Sequence, residues 1–256
     1  MSLSLKNSDT RSAREQSVLL DVCLSRECAK HTLFFTRKVL ANIDNYPFHN
    51  YLYWKYVIIK WRVHLRKEDG MGKVYLFLAE GFETIEALTV VDVLRRAKMP
   101  IVTVSITDSK SVMSVHNIKI EADQIFSECN FSDAQMLVLP GGVPGTPNLE
   151  AHEGLSQLLD EAVKKNIKIA AICAAPSILG KKGFLNGKEA TAYPGYEQAL
   201  IGADVKDEKV IVDGNYITAR GMGVTIEFAL TILGELGRAD EAKRVSEAIQ
   251  FYPYYK

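Results

Sequence analysis

Three short stretches of this chain hold residue types that could do chemistry together. The first is Ile167-Lys168-Ile169-Ala170-Ala171-Ile172-Cys173-Ala174-Ala175-Pro176. An apolar run ends at a thiol, and Pro176 suits the first turn of a helix, so the sequence predicts a buried strand turning sharply into a helix at Cys173. Such a bend exposes the sulfur and aims helix N-terminal N–H groups at it, which favours the nucleophilic thiolate. The second is Gly81-Phe82-Glu83-Thr84-Ile85-Glu86, where Glu83 and Glu86 stand three apart and so share a face of one helical turn. Acidic residues there also suit the helix dipole, and capping accounts for both without any catalysis. The third is Leu137-Val138-Leu139-Pro140-Gly141-Gly142-Val143-Pro144-Gly145, a strand entering a loop whose glycines allow close backbone approach and leave N–H groups free for an anion. Each has a bland structural reading; the case for a site rests on their coming together.

The elements around them say that they do. Strands are predicted at 73–79, 101–106, 135–139 and 168–172, and helices at 84–97, 148–165 and 174–181. Val112–Glu121 reads as a small extended excursion. Short strands near 188–192, 209–212 and 216–219 follow, then helices at 224–237 and 239–250. Alternating strands and helices at this spacing imply a doubly wound, mostly parallel α/β sheet. In such sheets chemistry gathers at the carboxyl ends of the strands, where all three stretches fall.

The chain has 256 residues, 47% of them hydrophobic, enough for one sizeable domain and an appendage. Its net charge is zero, but residues 1–70 hold 12 Lys and Arg against 7 Asp and Glu, so residues 71–256 carry a net −5. A mildly acidic main domain argues against nucleic acid as its partner. The four cysteines, Cys23, Cys28, Cys129 and Cys173, lack paired metal spacing and suggest reduced thiols of a cytoplasmic protein. No metal site is expected, and no run is long and apolar enough to span a membrane. Residues 1–70 read as an extension unrelated to the domain at 71–256. Its aromatic, basic stretch (Tyr46, Phe48, Tyr51, Tyr53, Trp54, Tyr56 and Trp61 among lysines and arginines) is compatible with a membrane surface or single-stranded nucleic acid. The bland account is that Met71 is the ancestral start and that the polar residues before it are poorly ordered.

Taken together, the motifs closely resemble the ThiJ/PfpI family, in the branch of the parkinsonism-associated protein deglycase. The match runs from about residue 73 to 237. It includes Gly-Phe-Glu-x-x-Glu at 81–86, Val91-Asp92-Val93-Leu94-Arg95-Arg96-Ala97, Leu139-Pro140-Gly141-Gly142, Ala171-Ile172-Cys173-Ala174-Ala175-Pro176, Asp213-Gly214 through Thr218-Ala219-Arg220-Gly221, and Glu227-Phe228-Ala229-Leu230. The resemblance implies a flavodoxin-like fold, of the class I glutamine amidotransferase-like type, and a homodimer. It implies Cys173 as nucleophile, Glu86 as its protonated partner, and the Gly142 and Ala174 N–H groups as an oxyanion hole. Gly141 and His116 would line the site or the dimer contact, and Glu83 would pair across the interface. Arg95, Arg96 and Arg220 would be structural. One departure concerns Tyr193: family members with glyoxalase-type activity often carry a histidine there, twenty residues after the cysteine. A tyrosine is a poor base at neutral pH, which weakens a Cys–His relay. His152 reads as solvated surface.

Three functions follow from the resemblance. The leading one is a glutathione-independent, cofactor-free glyoxalase or deglycase acting on methylglyoxal, a small reactive aldehyde, or on its adducts, as in a glycated protein. The second is a redox-sensing stress chaperone that oxidises Cys173. The third is an amide hydrolase or amidotransferase-like enzyme, which needs the base that Tyr193 does not supply.

Overall fold

Alternation of side chains along β1 (Lys73–Leu78) sets the architecture. Val74, Leu76 and Leu78 point into one apolar cluster, and Tyr75 and Phe77 into another on the opposite face. A strand buried on both faces needs helices on both, which is what a parallel sheet requires. The computed structural model describes residues 72–251; the expectations for residues 1–70 lie outside the described residues.

The further strands are β2 (Ile101–Ser105), β3 (Ser111–Met113), β4 (Lys119–Glu121), β5 (Gln124–Ile125), β6 (Ala134–Leu139), β7 (Lys168–Ile172), β8 (Glu189–Ala190), β9 (Asp204–Val205), β10 (Val210–Asp213) and β11 (Tyr216–Ala219). The helices are α1 (Thr84–Arg96), α2 (Gly145–Ala151), α3 (Glu153–Lys164), α4 (Pro176–Lys181), α5 (Thr225–Glu235) and α6 (Ala239–Ala248). Seven strands form one sheet in the order β10-β11-β7-β6-β1-β2-β5. All neighbours run parallel except β10, which pairs antiparallel with β11 at the edge. The chain leaves β1 toward β2 on one side and later fills β6 and β7 on the other. The crevice beyond the carboxyl ends of β1, β6 and β7 is therefore the topological switch point, the usual ligand position in such sheets. The fold is the expected flavodoxin-like, doubly wound one. Residues of α1, α5 and α6 cover one face and residues of α2, α3 and α4 the other.

Several elements differ from the sequence reading. The helix expected over 148–165 is two helices meeting at His152, whose backbone is extended (φ −78°, ψ 105°). There the Nδ1 atom of His152 accepts the Leu155 N–H at 2.9 Å, so the residue caps α3. Its ring also meets Phe126 edge-on at 4.6 Å, so it is half-buried, not solvated surface as expected. Val112–Glu121 is the hairpin β3–β4. It docks on the loop after β1 through Gly81 N–H to Met113 O at 2.8 Å and Val115 N–H to Phe82 O at 2.9 Å. The two-residue strands β5 and β9 carry no readable period, while β8 falls within the strand expected near 188–192. Among the described residues no helix is long and apolar enough to cross a membrane.

Candidate active site

Cys173 is the first residue after β7 and has φ 64°, in the left-handed region that side chains other than glycine rarely adopt. Its backbone is held there on both sides. The Cys173 N–H donates to Ala219 O at 2.8 Å, and its carbonyl accepts the Tyr193 N–H at 2.8 Å. Strain of this kind persists where the surroundings over-determine it. The thiol is half-buried at the mouth of α4.

Glu86 approaches from the first turn of α1 and is 1% exposed. Its Oε2 accepts the Gly141 N–H at 2.9 Å, while Oε1 is buried with no hydrogen-bond partner. The third contributor, the loop after β6, touches both. A Cβ placed on Gly141 would stand 2.7 Å from Glu86 Oε2, 2.7 Å from Cys173 Cβ and 3.2 Å from Cys173 Sγ. Carboxyl, thiol and loop thus converge on one spot that only glycine leaves open. The next residue, Gly142, has φ 102°, and a Cβ there would press within 2.5 Å of Glu83 N and Gly81 O.

Electrostatics couple the two titratable groups. Burial raises the Glu86 carboxyl from its usual 4.5 to about 7, against the opposing pull of the Gly141 N–H and the Cys173 thiol. Burial pushes the Cys173 thiol up to about 12, and a charged Glu86 adds to this, while the N–H groups of Ala174 and Gly142 pull it down. The expectation of a thiolate favoured by its helix N-terminus is therefore incomplete, because burial and the carboxylate work against it. Two negative charges side by side out of water are costly, so the pair keeps one proton between the two steps. The two positions differ in what a charge there would meet. A charged Oε1 would be buried and unpaired, whereas a charged sulfur faces two N–H donors.

Glu83, expected at an interface, is the N-cap of α1. Its Oε2 accepts the Glu86 N–H at 2.6 Å, and its own N–H donates to Gly141 O at 2.9 Å. It positions Glu86 and the glycine loop together, which is the capping alternative read from the sequence. Tyr193 reaches the site through its backbone. Its side chain is 50% exposed, and its ring lies beside Gly221, where a Cβ would be 3.2 Å from Cδ2. His116 is exposed at the tip of the β3–β4 hairpin. Arg95 pairs with Asp123, Arg96 with Asp92 and Arg220 with Asp207, at 2.7, 2.6 and 2.7 Å. Among the described residues no group of three or more His, Cys, Asp or Glu side chains is arranged to hold a metal ion.

Residues 72–235 match the DJ-1/PfpI family. That stretch is more than half of the chain and includes every residue of the constellation. The chain belongs to the DJ-1/PfpI family. Protein dj-1beta of Drosophila melanogaster is 33% identical over 176 residues, covering 68% of this chain and 94% of that protein. The Danio rerio Parkinson disease protein 7 homolog is 32% identical, covering 68% and 94%. DJ-1 homologs B and A of Arabidopsis thaliana are 33% and 34% identical, but the chain spans only 41% and 47% of their length. Among solved structures, Drosophila melanogaster DJ-1beta superposes with a TM-score of 0.67 at 32% identity, over 70% of this chain and 97% of that one. The oxidized form of Toxoplasma gondii DJ-1 gives 0.67 at 29%, over 70% and 98%.

Within this DJ-1/PfpI domain the residues that the sequence reading missed are those acting through the main chain. Ala219 anchors the Cys173 N–H, and nothing in an alanine at a strand end announces it. The groove of about 270 Å³ near Ile85, Met222 and Phe251 was also not readable, because its walls come from both ends of the domain.

Proposed function

We propose that the chain is a cysteine-dependent, glutathione-independent glyoxalase of deglycase type, acting on methylglyoxal or its adducts with protein thiols and amines. The observation that carries this reading is the buried, unpartnered Glu86 Oε1 beside a thiol that faces two backbone N–H groups. A 2-oxoaldehyde needs a nucleophile, a cradle for one oxyanion and a single group that moves protons between neighbouring carbons.

The thiolate of Cys173 attacks the aldehyde carbon; the new C–S bond forms and the carbonyl π pair moves to oxygen. The N–H groups of Gly142 and Ala174 stabilise that oxygen, which takes the Glu86 proton to give a hemithioacetal. The Glu86 carboxylate then removes the hydrogen on the former aldehyde carbon, giving an enediolate, and returns that proton to the adjacent carbon, while the hemithioacetal hydroxyl proton passes to the ketone-derived oxygen. The resulting thioester is hydrolysed by water to lactate and free thiol. The sum is methylglyoxal plus water to lactate, the aldehyde carbon being oxidised and the ketone carbon reduced within one molecule. On this reading the protein requires no cofactor.

The redox-sensor reading uses the same donors to hold an oxidised Cys173, and a Toxoplasma gondii relative has been solved in oxidized form. The amide-hydrolase reading is weaker. Of the two described histidines, His152 caps α3 and His116 sits at a hairpin tip. We also infer a homodimer, formed over exposed apolar residues on the first turn of α1 and on the β3–β4 hairpin: Ile85, Met113 and Ile118.

The test is lactate formation from methylglyoxal, without glutathione, by wild type and Cys173→Ala. Cysteine-dependent turnover is the expected result. No turnover above the variant, with a Cys173 that still oxidises readily, moves the assignment to the redox sensor.

A further inference from the structure

The joint between α2 and α3 is built on a residue unusual for its task. Helix N-caps are mostly Ser, Thr, Asp or Asn, whose oxygens accept throughout the neutral range, and here the cap is His152. Its Nδ1 atom accepts the Leu155 N–H at 2.9 Å. An imidazole nitrogen that accepts carries no proton, so the capping ring is neutral and holds its hydrogen on Nε2. The ring stands edge-on to Phe126 at 4.6 Å. A Cβ on Gly154 would lie 3.2 Å from His152 Cε1 and 2.7 Å from Phe126 Cε1, so the glycine lets both rings close over the first turn of α3. Phe126 carries the contact inward, to Phe131 at 5.1 Å and through it to Tyr75 of β1 at 4.9 Å.

Protonation reverses each of these contacts. An imidazolium donates from both nitrogens, so its Nδ1–H points at the Leu155 N–H, and its charge sits at the positive end of a helix. Burial already opposes that charge and holds the ring below the ordinary 6.5. The carboxylates on the surrounding elements do not offset it. Glu150 of α2 is exposed and pairs with Lys181 at 2.8 Å, and Asp160 of α3 pairs with Lys182 at 3.0 Å. Glu153 of α3 and Glu128 of the turn carrying Phe126 are exposed to water, and neither is bonded to the ring. Cys129, after that turn, donates to Gln124 Oε1 at 2.9 Å.

We infer that His152 is a pH-operated latch on the α2–α3 joint: neutral, it closes the first turn of α3 against Phe126, and protonated, it releases both. The Asn148 Nδ2 group of α2 donates to Glu80 O at 2.8 Å, and with the Glu150–Lys181 pair this anchors α2 independently of the latch. The change is therefore confined to the start of α3 and the outer edge of the aromatic row. The folded ring binds its proton less readily than the same ring in the unfolded chain. Its contribution to stability is thus present above the usual 6.5 and is lost as pH falls through the lower folded value. The latch belongs to the scaffold and does not depend on the glyoxalase reading.

The experiment has two readouts on the full chain. Nuclear magnetic resonance of isotope-labelled histidine follows the His152 ring, whose signal is the one missing from His152→Asn. The Nε2–H tautomer is expected at neutral pH, with a midpoint below that of the histidines in the urea-unfolded chain. Amide exchange in the first turn of α3, corrected for its intrinsic pH dependence, is then compared at about pH 7.5 and about pH 5 in wild type, His152→Asn and His152→Ala. His152→Asn keeps an acceptor that does not titrate, and is expected to protect the turn equally at both. His152→Ala lacks the acceptor, and its turn is expected to open about fivefold more often at both, as for a lost cap. Wild type should follow the asparagine variant at neutral pH and the alanine variant in acid. An Nδ1–H tautomer, a midpoint at or above the unfolded one, or a wild-type turn equally protected at both pH values overturns the latch. Equal acid loss of protection in wild type and His152→Asn overturns it too, because the effect then arises from another group.

Discussion

Replacing Glu86 by glutamine and by leucine separates where the shared proton sits from what it does. Glutamine keeps an acceptor for the Gly141 N–H, now made at 2.9 Å, and places an amide donor toward the thiol. It thus imitates the protonated carboxyl but has no proton to exchange. It also removes the negative charge that helps push Cys173 up to about 12. The Cys173 alkylation midpoint in Glu86→Gln is expected within about one pH unit of the wild-type pair's first step, while turnover falls by roughly 10²–10⁴-fold as for loss of a general acid–base. Leucine removes donor and acceptor together. A hydrogen bond to a charged group is worth roughly 1.5–3 kcal/mol, and one pKa unit is about 1.4 kcal/mol, so the midpoint should rise by about 1–2 units above wild type. The assay is the rate of iodoacetamide alkylation of Cys173 as a function of pH, followed by peptide mass spectrometry. A midpoint in Glu86→Leu below that of wild type would refute the reasoning. It would mean that the charge rests on the carboxylate and suppresses the thiolate, instead of resting on sulfur with the acid as donor.

Two further outcomes are expected. Because burial raises the Glu86 carboxyl from the usual 4.5 to about 7, this group's contribution to stability is fully present below pH 4.5 and is lost as pH rises through 7. Denaturant unfolding from pH 4.5 to 8 should show a decline of about 3 kcal/mol that Glu86→Gln removes; identical pH slopes in the two proteins would contradict the assignment. Gly141→Ala places a methyl 2.7 Å from both Cys173 Cβ and Glu86 Oε2. Overpacking of this kind costs roughly 1–3 kcal/mol, seen as a fall in Tm of about 2–4 °C per kcal/mol, and Cys173 alkylation should change its pH profile. An unaltered profile with normal stability would show that the loop yields freely.

The parallel strands were legible because β1, β6 and β7 are short apolar runs bounded by turn residues, and their order in the chain already placed the three motifs on one edge. The break between α2 and α3 was not, since the apolar spacing continues through His152 and only the backbone reveals that its ring caps the second helix. Very short strands such as β5, Gln124–Ile125, carry too few residues for any period to register. Within the site, Cys173, Glu86 and the glycine pair were readable from type and spacing, and Glu83 was readable only as one of two alternatives. The balance of charge between thiol and carboxyl was not, because it depends on burial and on which oxygen lacks a partner. The contribution of Tyr193 through its main chain was equally hidden, as side-chain type says nothing about where a backbone N–H points.

That last contact has a consequence for how such a site changes over time. The bend at Cys173 is clamped by main-chain atoms, the Ala219 carbonyl and the Tyr193 amide, the latter available from any residue other than proline. The side chain there is therefore uncoupled from the bend that it stands beside. Substitutions at 193 can change the exposed side chain while Cys173 keeps its strained backbone. A fold wired this way can vary its surface beside the bend one residue at a time and leave the bend itself intact.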